Sequence, residues 1–329
     1  MVSVVTGATG CLGLNLTLRL LEQGTEVIAL GRNEAIARII RQAGAYFINV
    51  DLRDKEKLKK VIPQQAQTIF HCAALSSPWG RYQDFYAANV LGTQHVIENT
   101  AETTRLVHVS SPSIYFDFSE RHNIKEHELL PKKPANHYVK TKLMAEALID
   151  KAFQEQNLNV ITLRPRAIFG PYDRAIFPRL LQSERKGVLP IIGTGQNLID
   201  ITYVGNVVES LLLAAKAGEQ FCGNKYNITN GEPQTLIHIL RQLFDALGKP
   251  FMPKFIPYAL AKKYAACLEK IYRLPFIRTE PRLTKYSAGV LSLGQTLNIE
   301  AAQNDLGYRP LLSISQGIER FATWYQHHD

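Results

Sequence analysis

Several things are scarce in this chain of 329 residues. Its four cysteines, Cys11, Cys72, Cys222 and Cys267, lie far apart and form no CxxC pair. That argues against a disulfide framework and a zinc site, and for a reducing compartment. No run of 18 or more apolar residues exists, so nothing is expected to span a bilayer. The first residues carry no basic-then-apolar leader, and the expected location is cytoplasmic. Repeats and low-complexity linkers are missing, and no metal site is predicted. The basic residues form no single long stripe, so nucleic acid is not an expected partner. What is present is 46% hydrophobic content and a net charge of +9. The first permits a large core, in one large domain or two coupled ones. The second attracts anions such as a phosphorylated cofactor, an acyl carboxylate or an anionic lipid surface.

The stretch Val2 to Gly13 reads as strand, glycine-rich turn and helix start. Gly7 permits a tight turn, Gly10 lets backbone approach a pyrophosphate, and Gly13 lets helix and strand pack closely. Thr6, Thr9, Cys11 and Leu12 complete this predicted dinucleotide cradle, with the phosphates at the helix N-terminus. The fold class expected is α/β, a doubly wound parallel sheet with a smaller α+β part. Residues 1–170 would bind the nucleotide, with 201–230 returning to the sheet. Residues 171–200 and 231–329 would bind substrate.

The second strand, Glu26–Leu30, ends in Gly31-Arg32-Asn33 rather than in an acid. An acid there would accept the ribose hydroxyls of NAD, whereas Arg32 suits a 2′-phosphate. The expected cofactor is therefore NADP(H), with NAD(H) possible; the plainer reading of Arg32 is a solvated loop residue. Asp51 and Asp54 precede a helix at 55–61 and suit its N-cap. The strand Thr68–Phe70 runs into His71-Cys72-Ala73-Ala74, small residues where backbone passes close to a cofactor; His71 is expected to be packed. A long helix is predicted over Arg81–Ala101, with Asn89 bridging backbone groups of neighbouring strands. The strand 106–110 ends in Ser110-Ser111-Pro112-Ser113, followed by a polar loop over 114–133.

On the next predicted helix, 136–153, Lys142 lies four residues after Tyr138 and on its face, while Lys140 points away. A tyrosine beside an ammonium can act as general acid or base. Its pKa of about 10 would have to fall by roughly 3 units to serve as a base near neutrality. A strand at 159–163 leads to Arg164-Pro-Arg-Ala-Ile-Phe-Gly-Pro171. Beyond it, helices are predicted over 177–186, 204–215, 235–247, 259–272 and at the C-terminal end. The helix at 259–272 mixes Lys262, Lys263, Lys270 and Arg273 with apolar residues. It suits either a solvated lid or contact with a membrane surface.

Together, TGATGCLG, the Ser111 strand end, Tyr138-x-x-x-Lys142 and RPRAIFGP resemble the extended short-chain dehydrogenase/reductases over essentially the whole chain. Trp79-Gly-Arg-Tyr82, Ala88-Asn-Val-Leu-Gly-Thr93, Asp200-Ile-Thr-Tyr-Val204 and Ile228-Thr-Asn-Gly-Glu-Pro233 narrow this to the 3β-hydroxysteroid dehydrogenase branch. The likeness is greatest to bacterial 2-alkyl-3-oxoalkanoate reductases, then to sterol 4-carboxylate 3-dehydrogenases. The resemblance implies Tyr138 as proton donor and acceptor, Lys142 on the nicotinamide ribose, and Ser111 as the active-site serine, with Ser110 and Ser113 as neighbours. It implies cofactor contacts from Asp51, Leu52, Ala73, Ala74 and Pro165, a lipophilic small-molecule substrate, and a homodimer. An NAD-dependent nucleotide-sugar epimerase or dehydratase is the alternative. Ser113-Ile-Tyr-Phe116 stands where those enzymes have a Tyr-Gly pair. A regulatory dinucleotide binder is the third, and it would often lack the tyrosine or lysine.

Overall fold

The computed structural model describes residues 2–274, 276–277 and 279–328. Met1, Pro275, Arg278 and Asp329 lie outside the described residues. The apolar opening residues form β1 (Val2–Thr6), whose Val4 and Val5 are fully buried. A strand that apolar must be covered on both faces, which a parallel sheet flanked by helices provides. In chain order β2 (Glu26–Gly31), β3 (Tyr46–Asn49), β4 (Thr68–His71) and β5 (Arg105–Val109) follow. Strands Val160–Pro165 and Lys225–Ile228 complete a seven-stranded sheet, parallel throughout. Its order runs from 225–228 through 160–165, β5, β4, β1 and β2 to β3. The order reverses at β1, so β1 and β4 flank the switch point at whose carboxyl end such sheets bind ligands. The helix α1 (Cys11–Glu22) buries Leu12, Leu14, Leu16 and Leu20 against this sheet.

Two expectations are corrected here. The predicted helix over 81–101 is composite: Tyr82–Phe85, then a π-helical stretch Tyr86–Leu91, then Gly92–Glu98. The predicted polar loop over 114–133 is partly core. The turn Pro112–Tyr115 buries Ile114 and Tyr115, and Arg121–Ile124 is a strand. The Tyr115 hydroxyl donates to Asn227 at 3.1 Å, a partner 112 residues away that local pattern cannot reveal.

Strand Arg121–Ile124 joins a second sheet, of order Gln234–Thr235, Leu198–Ile199, Gln295–Leu297 and Arg121–Ile124. Strands Val188–Ile192 and Met252–Ile256 form a further parallel pair. Around these stand helices Phe177–Ser183, Leu236–Ala246, Tyr258–Tyr272, Lys285–Ser292 and Ile314–His328. A second apolar cluster, including Phe177, Leu240, Phe244, Ile318 and Phe321, holds several of them together. Among the described residues, no helix is long and apolar enough to cross a membrane, and no group of three His, Cys, Asp or Glu side chains is placed to hold a metal.

Candidate active site

The turn between β1 and α1 leaves no room for side chains. Gly7 has φ +67°, and a Cβ there would lie 2.7 Å from the Ala73 Cα. A Cβ on Gly13 would lie 2.3 Å from the Gly7 carbonyl oxygen. Gly10 differs. It is exposed, and an added Cβ would meet only the Gly7 oxygen, at 3.3 Å. Gly10 is also the N-cap of α1, with no side-chain cap and no acid in the first turn. The backbone N–H groups of that turn are available to an anion. A dinucleotide pyrophosphate fits this cradle: two glycines close the turn and the third leaves its mouth open.

The other cradle residues act more indirectly. Thr9 packs over Gly31, where a Cβ would lie 2.7 Å from the Thr9 methyl. Leu12 is buried in the core. The Cys11 thiol donates to the Pro171 carbonyl at 3.5 Å, and burial pushes its pKa up, so it is a packing thiol. Thr6 is buried and turns its hydroxyl to His71 Nδ1 at 2.8 Å, while accepting from the Ala73 N–H at 3.3 Å. His71 Nε2 meets the Thr93 hydroxyl at 2.9 Å, and that hydroxyl donates to the Asn89 carbonyl at 2.7 Å. These partners assign the Nε2–H tautomer. Burial lowers the His71 pKa to about 3, so the ring is neutral, packed as expected and apart from the chemistry.

Asn89 sits in the π-helical stretch. Its Oδ1 accepts from the Leu75 N–H at 2.7 Å, and its amide donates to the Leu75 carbonyl at 3.2 Å and to Thr141 Oγ1 at 3.0 Å. It therefore joins the loop after β4 to the helix His137–Gln156, rather than bridging strands as the sequence suggested. Ala73 and Ala74 lie in that loop, and Pro165 is buried at its strand end.

At the end of β2, Arg32 is exposed and donates to Asp51 at 3.0 Å. Arg53, which the sequence reading passed over, makes a two-point bond to the same carboxylate, at 3.0 and 2.7 Å. The guanidiniums of Arg53 and Arg32 hold the Asp51 carboxyl far below its usual pKa. Asp54, not Asp51, caps the helix Lys55–Val61, accepting from Lys57 N–H. Leu52 packs beside Gly92, and its carbonyl meets His95 Nδ1 at 2.8 Å.

The helix His137–Gln156 starts at Asn136, whose side chain accepts from the Val139 N–H at 2.9 Å. This cap fixes Tyr138 in the first turn and Lys142 one turn on. The Ser111 and Ser76 hydroxyls face the Tyr138 phenol. Ser111 also bonds Ser113 Oγ at 2.9 Å. Ser110 instead is buried against Glu146, which binds Arg164 in two bonds of 2.9 and 2.6 Å. Of the three serines, Ser111 is the one that faces the Tyr138 phenol. Lys142 is buried, and its ammonium donates to the Val109 carbonyl at 2.8 Å. Burial brings its pKa down to about 8, opposed by Glu146. The Tyr138 pKa moves against expectation. Burial raises it more than the serine bonds lower it, so the protein's own groups favour the protonated phenol.

One residue carried no sequence signal. Tyr286, on helix Lys285–Ser292, lies near Ser113 and Tyr138, and burial raises its pKa to about 12. It lines a groove of about 610 Å³. The apolar lining includes Trp79, Phe85 and Phe118, and Lys140, Lys262, Arg273 and Lys285 supply positive charge. Lys140 is exposed, as expected, but it also faces this groove, 4.7 Å from the centre of the Tyr82 ring.

Comparison with known proteins agrees with this architecture. Residues 3–229 match the NAD dependent epimerase/dehydratase family. The chain is 35% identical to the Escherichia coli protein YbjS, over 99% of this chain and 98% of that one. It is 32% identical to the 2-alkyl-3-oxoalkanoate reductase of Stenotrophomonas maltophilia, over 96% and 97%. It is 30% identical to the mouse sterol-4-alpha-carboxylate 3-dehydrogenase, decarboxylating, over 98% and 88%. In fold it is similar to a UDP-glucuronic acid 4-epimerase from Bacillus cereus solved with NAD, at a TM-score of 0.78, 22% identity and 99% coverage of both chains. The chain belongs to the NAD dependent epimerase/dehydratase family, in the 3β-hydroxysteroid dehydrogenase branch of the extended short-chain dehydrogenase/reductases, and is an NAD(P)-dependent oxidoreductase of CH–OH and C=O groups.

Proposed function

We propose that the chain is an NADPH-dependent reductase of a 3-oxo group on a lipophilic acyl or sterol-like substrate, able in reverse to oxidise a 3β-hydroxyl. The groove lined by Tyr286 and by Asn136 and His137, just before Tyr138 in the chain, carries this reading, because a lining that joins aromatic side chains to four cations and one acid, Glu269, suits an apolar body with an acidic end. The names of the S. maltophilia and mouse relatives support it. The cofactor preference rests on Arg32 and Arg53. They are two exposed guanidiniums gathered on Asp51 at the end of β2, where a 2′-phosphate would compete with that carboxylate.

When bound, the nicotinamide supplies the hydride, or accepts it in reverse. The backbone N–H groups at the start of α1 would hold the pyrophosphate, while the Gly10 N–H closes the turn on the Gly7 carbonyl, and Lys142 would meet the nicotinamide ribose. Ser111 and Tyr138 hold the substrate carbonyl oxygen between two hydroxyls. A phenol whose pKa lies above the ordinary value keeps its proton and can deliver it to that oxygen as charge develops, which suits reduction. The Thr6–His71–Thr93–Asn89 chain keeps the cofactor loop and the Tyr138 helix in register.

The test is NADPH and NADH consumption with a long-chain 2-alkyl-3-oxo acid, a 3-oxosteroid and a UDP-sugar. NADPH use with either of the first two is expected. Tyr138→Phe should lower kcat about 10²- to 10⁴-fold and leave the NADPH Kd unchanged. Conversion of the sugar alone, or full turnover by the variant, would overturn the reading.

A further inference from the structure

The helix Tyr258–Tyr272 has an inner and an outer face. Its inner face buries Ala261 and Ala265 and lines the groove through Lys262, Glu269 and Arg273. On its outer face Leu260 is 59% exposed, Tyr264 58%, Ile271 45% and, just past its end, Leu274 44%. Cys267 is exposed between them. These positions recur at i, i+4, i+7, i+11 and i+14, the spacing of one helical stripe. A row of large apolar side chains in solvent is unusual on a soluble surface and marks a contact site.

The charges say what kind of contact. The exposed charges of this segment are Lys262, Lys263, Lys270 and Arg273, all positive. Its one acid, Glu269, is buried and satisfied, accepting from the Lys285 N–H at 2.7 Å with the Lys285 ammonium 3.4 Å away. Among the described residues no carboxylate pairs with any of the four cations. An apolar stripe flanked by unpaired cations is the pattern of a helix lying in the interface of an anionic bilayer.

We propose that the outer face of helix Tyr258–Tyr272 docks the protein reversibly on an anionic lipid surface. Leu260, Tyr264, Ile271 and Leu274 enter the acyl boundary, while Lys263 and Lys270 meet the headgroups. The same helix then separates the bilayer from the groove, so a lipophilic molecule leaving the membrane crosses only one element to enter it. The inference stands on the surface of the helix and not on the identity of the substrate.

Co-sedimentation with vesicles tests it, using phosphatidylcholine alone and phosphatidylcholine containing about one third phosphatidylglycerol. The wild-type chain is expected to pellet with the anionic vesicles and only weakly with the neutral ones. High salt should weaken binding severalfold by screening the lysines. The double variant Leu260→Asp/Ile271→Asp should lose at least tenfold in partitioning. Both positions are exposed, so the variant should keep its circular dichroism spectrum and its NADPH affinity. Failure of the wild type to pellet, or equal pelleting by the variant, would overturn the proposal. A wild-type dimer that the variant converts to monomer, with no vesicle binding by either, would assign the stripe to a second copy of the chain and also overturn it. None of these readouts depends on turnover of an oxo acid, so they fail separately from the proposed activity.

Discussion

The β1–α1 turn and the helix Tyr258–Tyr272 obey opposite rules. At the turn, one added carbon on Gly7 or Gly13 meets backbone at under 3 Å. On the helix, leucine and isoleucine side chains stand about half exposed to solvent. The turn holds a ligand part common to many enzymes, and it does so with main-chain atoms whose positions tolerate nothing. The helix presents side chains on its surface, and these can change without disturbing the fold.

The contrast would break most visibly at Gly13. Gly13→Ala drives a Cβ into the Gly7 carbonyl, so α1 must shift. We expect loss of measurable NADPH and NADH binding by titration and about 2–3 kcal/mol of destabilisation in urea. Wild-type-like affinity would mean the turn is softer than its geometry. Lys142 sharpens the comparison through pH. Its folded pKa of about 8 lies below the ordinary lysine value of 10.5. Below pH 8 both states carry the proton and the burial penalty is constant. Between 8 and 10.5 the unfolded chain binds more protons, so stability rises with pH relative to Lys142→Met, by at most about 3 kcal/mol. A flat difference across that window in paired denaturation curves would remove the buried cation from the account. The smallest effect is expected at Arg32, which is exposed. Arg32→Ala should raise the NADPH Kd about tenfold and leave that of NADH within about twofold. Equal losses for both would take the arginine away from the 2′-phosphate.

How much of this was legible in the sequence follows the same division. Glycines, β-branched strands and the Tyr138–Lys142 spacing are local signals, and the sheet and the turn lie where they indicated. Tyr286 comes to Ser113 from 173 residues away in the chain and belongs to no motif. The second sheet uses strands as short as two residues, too brief for an alternating pattern to register. Ile114 and Tyr115 sit in a polar neighbourhood of the sequence yet are core, because Asn227 and Arg164 reach the tyrosine from distant strands. The rise in the Tyr138 pKa is a burial effect, which spacing alone does not report.

The π-helical stretch Tyr86–Leu91 has a genetic consequence. Its hydrogen bonds span one residue more than those of the α-helix on either side, so it amounts to one extra codon in an otherwise regular helix. An in-frame deletion there would restore a uniform helix and rotate one flank against the other by about 100°. A residue lost between Asn89 and Thr93 would take Thr93 from His71 or Asn89 from Leu75, and one lost at Ala87 or Ala88 would turn Tyr82–Phe85 against both. Ala87 and Ala88 are unremarkable side chains that substitution should tolerate, but their number is fixed. Asn89, by contrast, is held to its identity by its bonds to Leu75 and Thr141, so selection reads length at the two alanines and identity at the asparagine.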